Sequence, residues 1–281
     1  MTNQVEKPRT KVAVLMTTFN RSRDTIHCIK SLVIGNPSLD LRFVVTDDNS
    51  SDDTIERLKE LPYKIHIIEG NGQLYWNGGM LKAMTYVRKR PSSFEFILLV
   101  NDDVKFKEGA IEKLIRRQGQ TKADVVVGAT MDNDDNITYG GIRKLSKIFA
   151  KFALIEPSEE PVMCDTFNCN CVLLRSYVFR EVGTLDPVYI HSMGDYDYGM
   201  SVRKKGYTIV NSEEYVGYCM DNDISYTWRN TELTRKERLR LKESPKGLPK
   251  GDWFHFIRKN YGLIPAIYHS LTPYIRILLK R

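Results

Sequence analysis

The sequence predicts an α/β chain, with a mostly parallel sheet flanked by helices and a basic, helical C-terminal extension. Three observations carry this. In the first half, short apolar runs alternate with stretches whose apolar residues recur at spacings of three and four. Each run ends in a loop rich in Asp, Asn, Gly or Thr. After Trp228 the composition turns Arg/Lys-rich, which places a boundary there and divides the chain into residues 1–228 and 229–281.

Taken in order, residues 11–16 read as the first strand, and Ile26, Ile29, Leu32 and Val33 mark the helix after it. A second strand over 41–46 precedes a helix carrying Ile55, Leu58 and Leu61, and 63–68 forms a third strand. A helix beginning near Gly79 carries Leu81, Met84 and Val87. It leads to strand 94–100, helix 108–117 and strand 124–129. Strands separated by helices imply parallel pairing through right-handed crossovers. The second half is less regular. A turn is expected at 132–136, a loop over the active site at 149–161, a strand over 164–174 and a short helix over 195–205.

The net charge of +7 is unevenly spread, because residues 229–281 hold thirteen Lys and Arg against four Asp and Glu. That tail therefore carries +9 and leaves −2 for the rest, and its basic residues are interleaved with aromatics; no nucleic-acid partner is expected. No run of eighteen apolar residues exists to span a bilayer, and residues 1–9 are polar where a secretory signal would be apolar. A cytoplasmic protein is expected. Five cysteines, without Cys-x-x-Cys spacing, argue against a disulfide framework and a zinc site and for small buried side chains.

The chemistry-bearing residues follow the strands. Thr17-Thr18-Phe19-Asn20-Arg21 follows the first, and Asp47-Asp48-Asn49 opens the loop after the second. Both lie at strand C-termini, where open α/β sheets bind ligands, so Thr18, Asn20, Arg21, Asp47 and Asn49 become candidate nucleotide contacts. Asp47 is placed to accept a hydrogen bond from the N–H of a pyrimidine base, whereas Asp52 and Asp53 read as helix caps. The third loop supplies Asn71, Trp76, Asn77, Gly78 and Gly79, combining glycines that permit close approach with flat aromatic surface. After the buried run 96–100, Asn101-Asp102-Asp103 offers carboxylates to a divalent cation, Mg²⁺ or Mn²⁺, with Asp103 the ligand and Asp102 capping the turn or touching substrate. Asp195 and Asp197 stand at a helix start but do not share a face. Asp195 is the candidate general base and Asp197 a candidate substrate contact, unless it caps the helix or pairs with a cation such as Arg203. A metal and a base together suggest group transfer from a phosphorylated donor.

Together these segments resemble the family 2 inverting glycosyltransferases of the GT-A fold, over about residues 11–225. The resemblance rests on the loops after the first two strands, on Asn101-Asp102-Asp103 as a version of the family's Asp-x-Asp motif, and on Gly183-Thr184-Leu185-Asp186 leading to Gly194-Asp195-Tyr196-Asp197, with Arg203 and Gly206-Tyr207 beyond. It implies that Asp47 binds the base, Asp103 the metal, and that Asp195 is catalytic. Three departures stand out: Gly194 replaces an acidic residue, Asn101 replaces the first Asp of the metal motif, and no His precedes Ser225 within 216–220.

The resemblance implies transfer of a sugar from a dTDP- or UDP-sugar to a glycan hydroxyl in cell-surface polysaccharide synthesis. Asn101 and Trp76-Asn77-Gly78-Gly79 resemble rhamnosyltransferase-like members and make rhamnose the leading donor sugar. Two competitors are a sugar-phosphate nucleotidyltransferase, disfavoured because 16–20 has no glycine, and a silent subunit binding a glycan or partner. Within 252–281, aromatic and basic residues suggest peripheral contact with the cytosolic membrane face and a lipid-linked acceptor, Pro265 and Pro273 breaking the segment into short pieces. The rival reading packs this tail on the core or on a second copy in a homo-oligomer.

Overall fold

The computed structural model describes residues 8–90, 94–221 and 224–280. Strand β1 (Thr10–Thr18), helix α1 (Ser22–Gly35), β2 (Leu39–Asp47), α2 (Thr54–Glu60), β3 (Ile65–Glu69), α3 (Tyr75–Arg88) and β4 (Phe96–Val100) follow in the alternation the sequence predicts. Next come β5 (Lys105–Phe106), α4 (Ala110–Thr121), β6 (Val125–Met131), β7 (Ile137–Tyr139), β8 (Gly141–Lys144), β9 (Phe152–Ile155), β10 (Thr166–Phe167) and β11 (Cys171–Arg175). The chain continues through α5 (Ser176–Val182), α6 (Gly194–Lys204) and β12 (Ile209–Tyr218) to α7 (Arg235–Glu243), α8 (Lys250–Tyr261) and α9 (Leu263–Leu278).

The main sheet runs β3-β2-β1-β4-β11-β6-β12-β5, with β7 paired to β6. Its central strands β1, β4, β11 and β6 are buried on both faces, and alternate residues of β1 sort onto two sides. Val12, Val14 and Met16 pack with Ile29 of α1 and Ile111 of α4. Ala13 and Leu15 pack with Met84 of α3, Phe179 of α5 and Val202 of α6. The result is a helix/sheet/helix sandwich. The register aligns Thr18 with Asp47 and Asp47 with Glu69, so the first three strands end in one row.

The second half departs from the expected pattern. Strand β11 lies antiparallel between β4 and β6, so pairing is not parallel throughout. The strand expected at 164–174 divides between two sheets: β10 joins β8 and β9, and only β11 enters the main sheet. Residues 149–161, expected as a loop, contain β9, which pairs with β8. Neither β9 nor β10 has a local signature, because strands of four and two residues are defined by their antiparallel pairing with β8. Strand β12, ten residues parallel to β6, has its carboxylates at Glu213 and Glu214 opposite register shifts, which masked its apolar pattern. All five cysteines are free and buried.

Helix α3 starts at Tyr75 rather than near Gly79, which puts Trp76 to Gly79 in its first turns. The glycine there serves packing. A Cβ on Gly79 would sit 2.0 Å from Thr17 Oγ1 and 2.8 Å from its Cβ, so α3 approaches β1 where a side chain would collide. The C-terminal helices pack against α6: Phe256 and Ile257 of α8 and Ala266 of α9 form a cluster with Tyr189 and Met200. Helix α9 is continuous through Pro273, which is buried, and Pro265 stands in its first turn where no intrahelical N–H bond is lost. Neither proline breaks it.

Gly79→Ala should therefore destabilise the protein by about 1–3 kcal/mol despite alanine's better helix propensity. Gly119→Ala, in α4 with nothing within 4 Å of the added Cβ, should instead stabilise by up to about 1 kcal/mol. Urea unfolding of the two variants checks both signs; a stabilised Gly79→Ala contradicts the packing argument.

Candidate functional site

A cleft of about 620 Å³ opens at the C-terminal ends of β1, β2 and β4. Of the candidate residues, Thr18, Arg21, Trp76, Asp102, Asp103 and Asp195 line it. The loops of its floor are tied together by backbone geometry. Asn20, at φ 52°, accepts from Ser51 N at 2.7 Å while its own N–H donates to Ser50 Oγ at 2.9 Å, locking the loop after β1 to the loop after β2. Asn20 thus shapes the rim from behind.

Asp48 is the residue that sequence reasoning passed over. Its buried carboxylate accepts from Gly72 N at 2.9 Å, Leu74 N at 2.8 Å and Tyr75 N at 3.0 Å, and so caps α3 from a neighbouring strand. A Cβ on Gly70 would fall 2.5 Å from Asp48 Oδ1, so this loop requires glycine. A carboxylate at a helix start also favours the macrodipole. Asn71 closes the same loop by accepting from Gln73 N at 3.0 Å, and Asn49, at φ 63°, lies exposed beside it.

Asp47 is wholly buried and, like Asn20, Asn49 and Asn71, does not itself line the cleft, although its neighbour Asp48 does. Oδ1 accepts from Ser50 N at 2.8 Å, whereas Oδ2 has no hydrogen-bond partner among the described residues. Asn77, Gly78 and Gly79 do not line the cleft. Asn77 is buried and donates to the carbonyls of Asp186 (3.1 Å) and Tyr189 (2.8 Å), joining α3 to the segment before α6. A Cβ at position 194 would lie 1.9 Å from Asn77 Oδ1, which explains why glycine stands there. The expected ligand contact at Asn77 is therefore corrected to a structural tie.

Arg21 donates to Asp103 Oδ2 at 2.6 Å and reaches Asp102 Oδ1 at 3.3 Å. Asp102 also accepts from Thr25 Oγ1, itself bonded to Thr18 Oγ1 at 2.7 Å. Burial pushes the Asp102 carboxyl up to about 6 against the pull of Arg21. Burial opposes the charge on Arg21, but Asp102 and Asp103 outweigh it and raise its pKa. Asn101 accepts from Trp76 Nε1 at 2.8 Å, tying the metal-motif segment to α3.

Asp103 is the more open of the two carboxylates here, its side chain 31% exposed against 8% for Asp102, with Cys219 Sγ 3.4 Å from Oδ1. Among the described residues no group of three His, Cys, Asp or Glu is gathered for a metal. One exposed carboxylate fits a hard divalent ion only where substrate phosphate oxygens and water complete the shell, the usual arrangement for Mg²⁺.

Asp195 opens α6 in the cleft wall, accepting from Tyr196 N at 2.8 Å, and burial lifts its carboxyl to about 6 in spite of hydrogen bonds from Tyr196, Cys169 and Asn168. Two residues on, Asp197 turns away from the cleft. Its buried carboxylate accepts from Lys259 Nζ at 2.6 Å and Asn260 Nδ2 at 2.9 Å, both of α8, whereas Arg203 donates to the Tyr207 carbonyl. The expected substrate contact at Asp197 is corrected to an anchor for the extension. Lys259 also pairs with Asp186 at 2.9 Å, beside His255 at 3.0 Å.

The extension reaches the cleft as well. Ser192 Oγ donates to the Gly247 carbonyl at 3.2 Å, and Lys246, adjacent in the chain, lines the cleft together with Arg21 and His191. Burial, with Lys246 and Arg21 nearby, lowers His191 to about 4, so it is neutral at pH 7. The Pro- and Gly-rich run around Lys246 signals a linker, and nothing local shows that it folds back.

Comparison with known proteins decides the family. Residues 13–182, more than half of the chain, match Glycosyl transferase family 2. The chain belongs to this family. A curated relative, the GalNAc(5)-diNAcBac-PP-undecaprenol beta-1,3-glucosyltransferase of Campylobacter jejuni, is 28% identical over 149 residues, which cover 50% of this chain and 46% of that protein. The chain thus spans less than half of that relative's length. Two solved structures share the fold: S. aureus TarS 1–349 (TM-score 0.57, 14% identity, 95% of this chain and 81% of that one) and the mannosyltransferase PcManGT from Pyrobaculum calidifontis with GDP-Man and Mn²⁺ (TM-score 0.58, 12% identity, 98% and 75%). The fold is GT-A-like: a large, mostly parallel sheet between helices.

The anchor beneath Asp195 is testable. Lys259→Met leaves the Asp197 carboxylate buried with Asn260 alone; because Lys259 is about one-third exposed, the expected loss is about 2 kcal/mol, below the range for fully buried pairs. Asp186, held down to about 2 by Lys259 and His255 against its own burial, contributes stability above its unfolded value of about 4 and loses it as pH falls towards 2. Urea midpoints of wild type and Lys259→Met between pH 7 and pH 2 should converge on acidification; a constant gap excludes the linkage.

Proposed function

We propose that the chain transfers a sugar, with inversion, from a nucleotide diphosphate donor to a hydroxyl of a glycan. The observation that carries the reading is one cleft holding a cleft-facing acidic ligand, Asp103, and a separate carboxylate, Asp195, whose pKa of about 6 suits a base that is ionised yet able to accept a proton at neutral pH. Asp195 takes the proton of the acceptor hydroxyl as its oxygen attacks the anomeric carbon, and the bond from that carbon to the donor's diphosphate breaks on the opposite face. Arg21 and Lys246, both lining the cleft, offset negative charge on the leaving group. Asp103 would hold Mg²⁺ or Mn²⁺ with diphosphate oxygens, and the ion when bound neutralises that same charge.

The unpartnered Oδ2 of Asp47 supports its reading of a pyrimidine N–H, in keeping with a dTDP- or UDP-sugar. Rhamnose remains the leading sugar. Its support is the resemblance carried by Asn101 and Trp76, now joined by a hydrogen bond. The Campylobacter relative's name specifies a lipid-diphosphate acceptor, and we extend that class to this chain: a lipid-linked glycan met at the cytosolic membrane face, with peripheral contact through residues 252–281.

Asp195→Asn should lower turnover by about 10²- to 10⁴-fold with little change in donor binding. In wild type, kcat/KM should fall about tenfold per pH unit below pH 6, since protonation removes the base. Asp102 titrates in the same range, so retention of that acid limb in Asp102→Asn assigns it to Asp195; near-normal turnover of Asp195→Asn moves the base elsewhere.

Asp103→Ala should weaken nucleoside diphosphate binding and abolish its response to Mn²⁺, which calorimetry with uridine and thymidine diphosphates, with and without EDTA, would measure. Asp47→Ala should weaken binding of the same ligands and leave the Mn²⁺ response intact. Full activity in EDTA would remove the metal from the reading and leave Arg21 and Lys246 as the diphosphate partners. Equal affinity for purine diphosphates would count against Asp47 as the base reader.

A further inference from the structure

Helix α9 is apolar on both sides. Ala266, Pro273 and Ile277 are buried against the body, while Ile264, Ile267, Tyr268, Leu271, Ile275 and Leu278 are between 49% and 82% exposed. At about 100° per residue these six fall within one arc of about 120° on the opposite side. The tip between β8 and β9 extends this surface with Leu145, Ile148 and Phe149, which are 60%, 63% and 43% exposed. The two elements are joined: the Phe149 ring packs edge-on to Tyr268 and His269, with centroids 6.0 and 5.9 Å away, and Ala150 N donates to His269 Nε2 at 3.3 Å.

The two segments that form this surface carry charge of one sign, and the nearby Glu243 carboxylate of α7 is taken up by Lys242 and Tyr274. Residues 142–155 and 262–281 contain no Asp or Glu, and they carry Arg143, Lys144, Lys147, Lys151, Arg276, Lys280 and Arg281. An apolar face whose own segments carry only cations is complementary to an anionic lipid surface. Two copies of the same face would oppose like charges. We infer that the outer side of α9 and the β8–β9 tip together seat on an anionic bilayer, lying in its interface. Helix α9 does not span it: sixteen residues rise about 24 Å, less than the roughly 30 Å hydrocarbon core.

Behind this face runs a groove of about 980 Å³. Phe149, Tyr268 and Ile275 belong to both groove and exposed face, and Met193 and Tyr196 belong to both groove and catalytic cleft. An acceptor anchored in the bilayer therefore has a lined path to Asp195, with Arg229 and Arg276 along it as partners for a phosphate. This use of the groove rests on the transferase reading above; the seating on lipid does not.

The test is flotation of the full chain with vesicles of phosphatidylcholine, with and without phosphatidylglycerol. The expected result is binding to the anionic vesicles that weakens with salt and falls at least tenfold in both Ile148→Asp and Leu271→Asp, neither of which lines the cleft or the groove. Ile34→Asp, at an exposed apolar position of α1, should bind as wild type does. Hydrolysis of the nucleotide-sugar donor should be unchanged in Ile148→Asp and Leu271→Asp, which shows that they are folded. Absence of flotation by wild type, or undiminished flotation by both variants, overturns the proposal. So does a dimer in sedimentation that both variants dissociate without any vesicle binding, which would assign the face to a second copy. Flotation as expected from a protein that turns over no donor would uphold the seating and strike the catalytic reading.

Discussion

The buried carboxylate of Asp197 is the constraint on which the arrangement of the cleft depends. It lies two residues from Asp195 on the opposite side of α6, so whatever neutralises it also sets the pose of the helix that delivers Asp195. The neutralising groups, Lys259 and Asn260, come from α8. A buried carboxylate without a partner costs several kcal/mol, and this couples the extension to the body more firmly than apolar contact alone would. Asp186 and Asp252 repeat the device around it, pairing with Lys259 and His255 and accepting from Ile190 N.

The same logic governs the other wall. Asp48 accepts three backbone N–H groups at the start of α3, and Asn77, one turn further, donates to two carbonyls ahead of α6. Helix α3 is thereby bonded to the loop after β2 on one side and to the approach to α6 on the other. Polar residues that look like ligand contacts are spent on holding backbone. The charged side chains that line the cleft without being spent in this way are a smaller set: Arg21, Asp102, Asp103, Asp195 and, from the extension, Lys246.

Electrostatics inside the cleft are set by burial as much as by pairing. Asp102 and Asp195 are both raised to about 6, the first in spite of Arg21 and the second in spite of several hydrogen bonds. Arg21 spans Asp102 and Asp103, so the acidic segment that would receive a divalent ion already carries a cation of the chain's own. The groove beside this cleft is apolar and aromatic with a few arginines, a different chemistry from the carboxylate-lined pocket it adjoins.

Sequence by itself determined the strand–helix alternation from β1 to β6, because a buried central strand must be apolar over its length and an amphipathic helix must repeat every three or four residues; both leave local signatures. It also determined that Asp103 and Asp195 lie at element ends, since paired carboxylates directly after an apolar run close a strand and acidic residues are favoured in the first turn of a helix. Tertiary structure decided the rest. Which of Asp195 and Asp197 faces the cleft depends on a lysine sixty-two residues beyond Asp197. That Asn77 ties backbone and Asp48 caps a helix depends on strands brought together by the sheet. The reversed direction of β11, the small β8–β9–β10 sheet and the fold-back of Lys246 arise the same way. These are contacts between segments far apart in the chain, and no local periodicity records them.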